Sequence, residues 1–300
     1  MNTLETRTRL HAALGERYHV ERTLGEGSIA KVYVARDLRY GRDVAIKVFA
    51  SDFAAAVGSE AFLREMGLAA TLSHPNILPI FDYGDGDGLL FMAMPNIQGH
   101  TLRDQMDALR QLPVDDAIRV ASEIAGALDY AHRCGVLHGD LRPENIILED
   151  GRLLVSDFGI GNALASIDGK GITRAGIGIA APAYASPEQV AGEPVDARSD
   201  IYSLASVLYE MLVGEAPFPG PAPQVVVAKR FMQTPPSVAA VRDGIPRPVA
   251  CALQSALARS PADRPRTAGA FVESLIEAEN ESASGKTGSA FAPRKASTVS

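Results

Sequence analysis

Four short clusters in this 300-residue chain carry residue types that can work on phosphate. The first, Gly25-Glu26-Gly27-Ser28-Ile29-Ala30, has two glycines with alanine at the third position. Alone it reads equally as a plain hairpin turn, and a dinucleotide-binding turn would need the glycines to open a helix. They lead instead into Lys31-Val32-Tyr33-Val34-Ala35, a strand pattern, so the loop is read as a glycine-rich flap over phosphates. The second cluster, Val44-Ala45-Ile46-Lys47, ends an alternating run in a lysine. A solitary strand lysine is ordinarily a solvated edge residue, and its meaning depends on the remaining clusters. These are His138-Gly139-Asp140-Leu141-Arg142-Pro143-Glu144-Asn145 and Asp157-Phe158-Gly159. Each is a modest signal alone, but all four in this order and spacing are too improbable as accident.

The elements that must position these clusters follow from hydrophobic periodicity. Val32 and Val34, then Val44, Ile46 and Val48, alternate with other residues and predict two strands joined at Tyr40-Gly41-Arg42-Asp43. Leu4 to Leu14 has loose helical spacing ahead of them. Ser59 to Leu72 returns to a helical period ended by His74-Pro75, and Ile77–Ile80 and Leu89–Met94 read as two more strands around a turn at Gly84–Gly88. The first part is therefore expected to be mostly sheet with one helix. After Gly99 the pattern is helical. Ile118, Ala121, Ile124, Leu128 and Ala131 share one face of Asp115–Cys134, with Gly135 placed to end the helix. Ile201–Val213 is apolar on nearly every side, the mark of a helix at the centre of a lobe. Pro223–Phe231, Pro248–Ala258 and Ala268–Ala278 complete the helical reading.

Composition excludes several classes. With 29 Lys+Arg against 36 Asp+Glu the net charge is −7 and the charges are mixed along the chain, which disfavours a nucleic-acid groove. Hydrophobic residues at 46% supply a core, while 27 Gly and 19 Pro stay below the roughly 25–30% of low-complexity chains. The length predicts two domains or lobes. Two cysteines, Cys134 and Cys251, are too few for a metal knuckle or disulfide framework and fit a reducing compartment. No signal peptide or membrane span is read, so a cytoplasmic location is expected, with anchoring only if the native chain continues past Ser300. Beyond Asn280 the Ser/Ala/Gly/Lys/Thr composition reads as a disordered tail. Gly285-Lys286-Thr287 and Arg294-Lys295-Ala296-Ser297 within it imitate a P-loop end and a phosphorylation site, and both are set aside as tail composition.

Taken together, the four clusters resemble the signature set of the protein kinases: the Gly loop, V-A-I-K, H-R-D-x-x-x-x-N and D-F-G. The likeness is to bacterial eukaryotic-like Ser/Thr kinases in particular. Ala183-Tyr184-Ala185-Ser186-Pro187-Glu188-Gln189, Asp200-Ile201-Tyr202-Ser203-Leu204 and Asp263-Arg264-Pro265 extend it over about residues 18–277. It implies an α+β, two-lobed fold: a helical extension at 1–17, a kinase domain at 18–278 with lobes 18–97 and 98–278, and a tail at 279–300. It implies ATP with Mg²⁺ or Mn²⁺, protein substrates bearing Ser or Thr, and self-association for autophosphorylation. Lys47 would hold the α/β-phosphates and pair with Glu65, or failing that Glu60. Asn145 and Asp157 would hold the metal. Asp140 would accept or orient the substrate hydroxyl proton, with Arg142 near the transferring phosphate. Gly25 and Gly27 would cover the phosphates. Leu24, Val32 and Ala45 above and Ile147 below would enclose adenine, with Met94 as gatekeeper and the Ile97 N–H as hinge donor. Glu188 would pair with Arg264, and Asp200 would cap the catalytic loop.

The departures from the pattern gather around Asp140. Gly139 replaces the arginine that in many relatives binds a phosphorylated activation loop, Arg142 replaces a lysine, and Ala180-Ala181 replace a Gly-Thr pair before Pro182. The alternative to an active kinase is thus a nucleotide-binding pseudokinase acting as scaffold or regulator. With Gly139 in place the loop phosphate has no receiver, and Arg174 and Arg142 do not stand where the guanidinium would. Ser166 and Thr173 are the candidate acceptors, with Ala175 where related loops carry a second Thr. Thr173→Ala and Thr173→Glu should each change the phosphorylation rate by less than about fivefold, the lower edge of ordinary coupling energies. A steady-state assay on an added protein substrate checks this, and a larger change would show that another basic residue reads the phosphate.

Overall fold

A computed structural model describes residues 10, 12–27, 29–86, 88–165 and 182–276. The chain enters through helical residues carrying Leu10 and Leu14, then builds a five-stranded antiparallel sheet. Its strands are β1 (Tyr18–Glu26), β2 (Ala30–Asp37), β3 (Arg42–Phe49), β4 (Asp82–Gly86) and β5 (Leu89–Pro95), in the order β1-β2-β3-β5-β4. Successive side chains of a strand point to opposite faces, and β3 shows the consequence. Val44, Ile46 and Val48 pack with Leu10, Leu14 and Tyr18 on one face. Ala45 and Phe49 pack on the other with Phe62 and Met66. Lys47 lies between Ala45 and Phe49 and so shares their face. Both faces are covered, which is why β5 reads as a continuous apolar run rather than an alternation.

Three expectations for this lobe are corrected. Two helices, α1 (Ser51–Val57) and α2 (Ser59–Ala69), stand where one was expected, separated by Gly58 at φ 78°, a left-handed conformation that interrupts the helix. Ile77–Ile80 is not a strand of the sheet. Ile77 makes a single parallel bridge to Val155, and the Leu78 N–H donates to the Val155 carbonyl at 2.9 Å, so this segment's backbone is spent tying the two lobes together. The edge strand is Asp82–Gly86, which overlaps the expected turn at Gly84–Gly88. Glycine is required there because a Cβ at position 84 would fall 2.8 Å from the Phe91 ring on the neighbouring strand.

The second lobe is helical, with α3 (Leu102–Leu109), α4 (Val114–Arg133), α5 (Ile160–Ala165), α6 (Pro187–Ala191), α7 (Ala197–Val213), α8 (Pro223–Met232), α9 (Val238–Val241), α10 (Arg247–Ala256) and a last helix at 268–276. A small sheet, β6 (His100–Thr101), β7 (Ile146–Glu149) and β8 (Arg152–Val155), pairs in that order. Every residue of α7 from Ser199 to Val213 is buried, matching its all-round apolar sequence, and α4 packs beside it. Among the described residues no helix is long and apolar enough to cross a membrane.

One ion pair closes the lobe beneath α6. Arg264 gives a bidentate bond to Glu188 at 2.7 and 2.8 Å, and the Ser199 hydroxyl adds a third bond at 2.6 Å. Burial alone would raise the Glu188 carboxyl, but these donors outweigh it and hold the group below its ordinary range. Arg264→Ala leaves that carboxylate buried without its partner and should cost about 3–5 kcal/mol in a denaturant titration. A loss under about 1 kcal/mol would show that water reaches Glu188 and replaces the arginine.

Candidate active site

The expected catalytic and metal-site residues come from four segments. Lys47 is brought by β3, Glu65 by α2, Asp140 and Asn145 by the loop after α4, and Asp157 by the turn after β8. The loop after α4 is held from below by Asp200, in the first turn of α7. Its Oδ2 accepts from the His138 N–H and its Oδ1 from the Gly139 N–H, both at 2.8 Å, and His132 Nε2 lies 2.8 Å from Oδ2. Gln189 holds the same loop from above by donating to the Gly139 carbonyl at 2.8 Å. Gly139 has φ 73°, a left-handed conformation that favours glycine. His138 is fully buried, lowered in pKa by that burial, and its ring lies 4.7 Å from the ring of Phe158. The Phe–His contact joins the catalytic loop to the Asp157 turn.

Above this floor, Asn145 Nδ2 donates to the Asp140 carbonyl at 2.9 Å and approaches its Oδ2 at 3.4 Å. Arg142 donates from Nε to Glu144 at 2.7 Å, and Arg103 reaches the other oxygen of Glu144 at 3.2 Å, so the Arg142 guanidinium is anchored beside Asp140. Lys47 Nζ meets Asp157 Oδ2 at 2.8 Å. Asp157 has φ 67°, and its Oδ1 is buried without a hydrogen-bond partner. An orphaned carboxylate oxygen next to an asparagine side chain fits the oxygen preference of a hard divalent cation. Asn145 and Asp157 would hold such an ion, the remaining ligands coming from phosphate and water.

The adenine-slot residues are mostly brought together. Ala45 and Met94 are register partners on β3 and β5, and Val32, Ile97 and Ile147 pack on the same cluster. Leu24 stands apart, 47% exposed on β1. Gly25 lies near the end of β1, paired with Val32 of β2, and Gly27 lies on the β1–β2 connection, where its N–H donates to the Ala30 carbonyl at 2.8 Å. Ser28, Ser166, Thr173, Arg174, Ala175, Ala180 and Ala181, with the tail motifs at 285–287 and 294–297, lie outside the described residues.

The expected Lys47–Glu65 ion pair is corrected. Glu65 accepts instead from Asn162 Nδ2 at 3.3 Å and lies 3.4 Å from Arg64, while Glu60 is exposed. Helix α5 packs against α2 and supplies Asn162 as the rival donor, which leaves Asp157 as the partner of Lys47. Asn162 and the adjoining Gly161 escape the sequence reading. The available signal was a second glycine two residues after Gly159.

A β-sheet lobe whose lysine faces an aspartate and asparagine from a loop anchored to a central helix is the protein kinase arrangement. Comparison with known proteins agrees: the protein kinase domain family matches residues 18–282. The serine/threonine-protein kinase PknB of Mycobacterium tuberculosis is 36% identical over 273 residues, 89% of this chain and 44% of that protein. PknJ of the same organism is 38% identical over 269 residues, 87% and 45% of the two chains. The crystal structure of the Mycobacterium tuberculosis PknI kinase domain superposes with a TM-score of 0.69 at 31% identity, covering 87% of this chain and 96% of that one. The chain belongs to the protein kinase domain family, among the bacterial eukaryotic-like Ser/Thr kinases, and spans less than half the length of PknB and PknJ.

Burial, before any other cause, pushes the Asp140 carboxyl up to about 6. Asp157 adds to the rise, while Arg142, Lys47 and Asn145 oppose it. The folded state therefore holds this proton to higher pH than the unfolded chain, whose carboxyl titrates near 3.8, and the stability this contributes is lost as pH rises through about 6. Asp140→Asn should melt above the wild type at pH 7–8 in metal-free buffer, with the gap closing between about 6 and 4. A gap independent of pH would show that Asp140 is solvated as an ordinary surface carboxylate.

Proposed function

We propose that this chain transfers the γ-phosphoryl group of ATP to a Ser or Thr hydroxyl of a protein. The observation that carries the reading is the meeting of Lys47, Asp140, Asn145 and Asp157, from three segments, in one cleft between sheet and helical lobe. Little covalent chemistry falls to the protein in such a transfer, so positioning and charge do the work. Asp140 lies at the floor of the cleft with Asn145 bonded to it, and orients the acceptor hydroxyl and takes its proton. Arg142, held by Glu144, keeps a positive charge beside the carboxylate where the transferred group gathers negative charge. Lys47 neutralises the α/β-phosphates once Asp157 releases it. The divalent cation, Mg²⁺ or Mn²⁺, supplies charge neutralisation of the triphosphate when bound at Asn145 and Asp157. The Ile97 N–H gives the hinge a donor, and Pro95, two residues earlier, costs nothing because only its carbonyl is needed.

A second reading, a nucleotide-binding scaffold without useful turnover, draws support from Lys47 and Glu65 being paired elsewhere. Labelled ATP separates the two. With Mg²⁺ or Mn²⁺ and a generic protein acceptor, the wild type should transfer label. Asp140→Asn and Lys47→Met should each lower the rate by about 10²-fold or more while the fold stays intact. Both readings require a rise in melting temperature with millimolar MgATP. Transfer by the wild type no greater than by Asp140→Asn, with both cations, would favour the scaffold.

A further inference from the structure

One guanidinium in the second lobe is buried without a counter-charge. Arg230, on α8, is 2% exposed. Its Nη2 donates to the Ala183 carbonyl at 2.9 Å and its Nε to the Tyr202 hydroxyl at 3.3 Å, while Nη1 is buried with no hydrogen-bond partner. Among the described residues no carboxylate pairs with it, and Glu188, on the neighbouring α6, is already locked to Arg264. The rings of Tyr202 and Phe218, each centred 5.8 Å from the guanidinium carbon, offer π-faces but no acceptor for Nη1. Burying a charge is costly unless it is paired and hydrogen-bonded, so a cation held in this state points to an anion that comes from outside the chain.

A cavity of about 250 Å³ between α8 and α10 is placed to receive one. Arg230 and Tyr202, the latter 1% exposed, form its inner wall, and Met232, 83% exposed, stands at its rim. Arg259 lines the same cavity as a second cation, its guanidinium carbon 5.6 Å from the Phe231 ring centre, and Thr234 and Gln254 add a hydroxyl and an amide. Among the described residues no Asp or Glu lines it. Two guanidiniums carry more charge than one carboxylate neutralises, and they match the double charge and several acceptor oxygens of a phosphate group.

We propose that this cavity is a phosphate-binding site, with Arg230 and Arg259 as its cationic ligands, and that its occupation steadies the 183–186 segment. The guanidinium that takes the phosphate at Nη1 holds the Ala183 carbonyl through Nη2, and hydrogen bonds that share one group polarise each other. Ala183 precedes Tyr184, whose hydroxyl meets Glu210 and Arg103 in the network beside Arg142. The site shares no residue with the cleft of Lys47 and Asp140, and its occupation can be read without turnover.

Inorganic phosphate is the probe, titrated at constant ionic strength without nucleotide or Mg²⁺ into a Lys47→Met background, so that the cleft lysine cannot hold it. The melting temperature should rise with phosphate and saturate, as binding to the native state requires. Arg259 is exposed, so Arg259→Gln keeps the fold, and it should weaken the apparent affinity about tenfold or more, the loss of one charge-assisted bond. Acetate at the same ionic strength should give no saturable rise. Amide hydrogen exchange at residues 183–186 should slow about fivefold or more at saturating phosphate, the lower edge of ordinary coupling between sites. No saturable response to phosphate, or one that Arg259→Gln leaves unchanged, overturns the site. An equal response to acetate overturns the assignment to phosphate, and unchanged exchange at saturating phosphate overturns the link to the 183–186 segment.

Discussion

Asp200 is 1% exposed, inside the first turn of the most buried helix of the protein, and it is charged. Burying an isolated carboxylate is costly, and burial by itself would raise its pKa. The bond from His132, with the His138 and Gly139 N–H groups, outweighs that penalty and holds the carboxyl below its ordinary range. The N-terminus of α7 adds a favourable dipole. The same bonds fix the backbone of two residues directly before Asp140. The loop between α4 and β7 has no ladder of its own to define it, and Asp200 substitutes one carboxylate for that ladder. Removing it would leave two backbone donors buried without acceptors and would free the loop that carries both Asp140 and Asn145.

What Asp200 does from below, the end of the activation segment does from the other side. Ser186 and Gln189 form a capping box that starts α6, and the Gln189 amide also reaches the Gly139 carbonyl. Glu188, in the same short helix, is locked to Arg264. Tyr184 donates to Glu210 and accepts from Arg103, whose guanidinium also reaches Glu144 beside Arg142. The charged groups around Asp140 thus form one connected network in which each carboxylate has a cationic or hydroxyl partner. Such networks rigidify a site when complete, because leaving any member unpaired in a low dielectric is costly. The Oδ1 of Asp157 falls outside that rule, and it lies where a cation is expected.

The partner of Lys47 is not the one the family resemblance implies. Lys47 meets Asp157, while α5, packed on α2 through Ile160 and Ala163, brings the Asn162 amide to Glu65.

The reach of the sequence follows from the range of the forces involved. The two-residue period of β3 places Lys47 and Ala45 on one face whatever else the chain does, and the all-round apolar run at 201–213 can only be a central helix. Glu188 with Arg264 and Asp200 beneath the catalytic loop were legible through the family resemblance, since those bonds are part of the fold itself. The first-lobe details were not. Asp82–Gly86 has the composition of a turn and becomes a strand because β5 offers it an edge and Phe91 covers Gly84. Ile77–Ile80 has the composition of a strand and is drawn to Val155 instead. The pairing of Glu65 was hidden for the same reason. The order and spacing of the motif residues are local properties of the chain, whereas the choice between Lys47 and Asn162 depends on two backbones meeting at Gly139 and Gly161, a contact between segments about 20 residues apart that only the packed structure brings together.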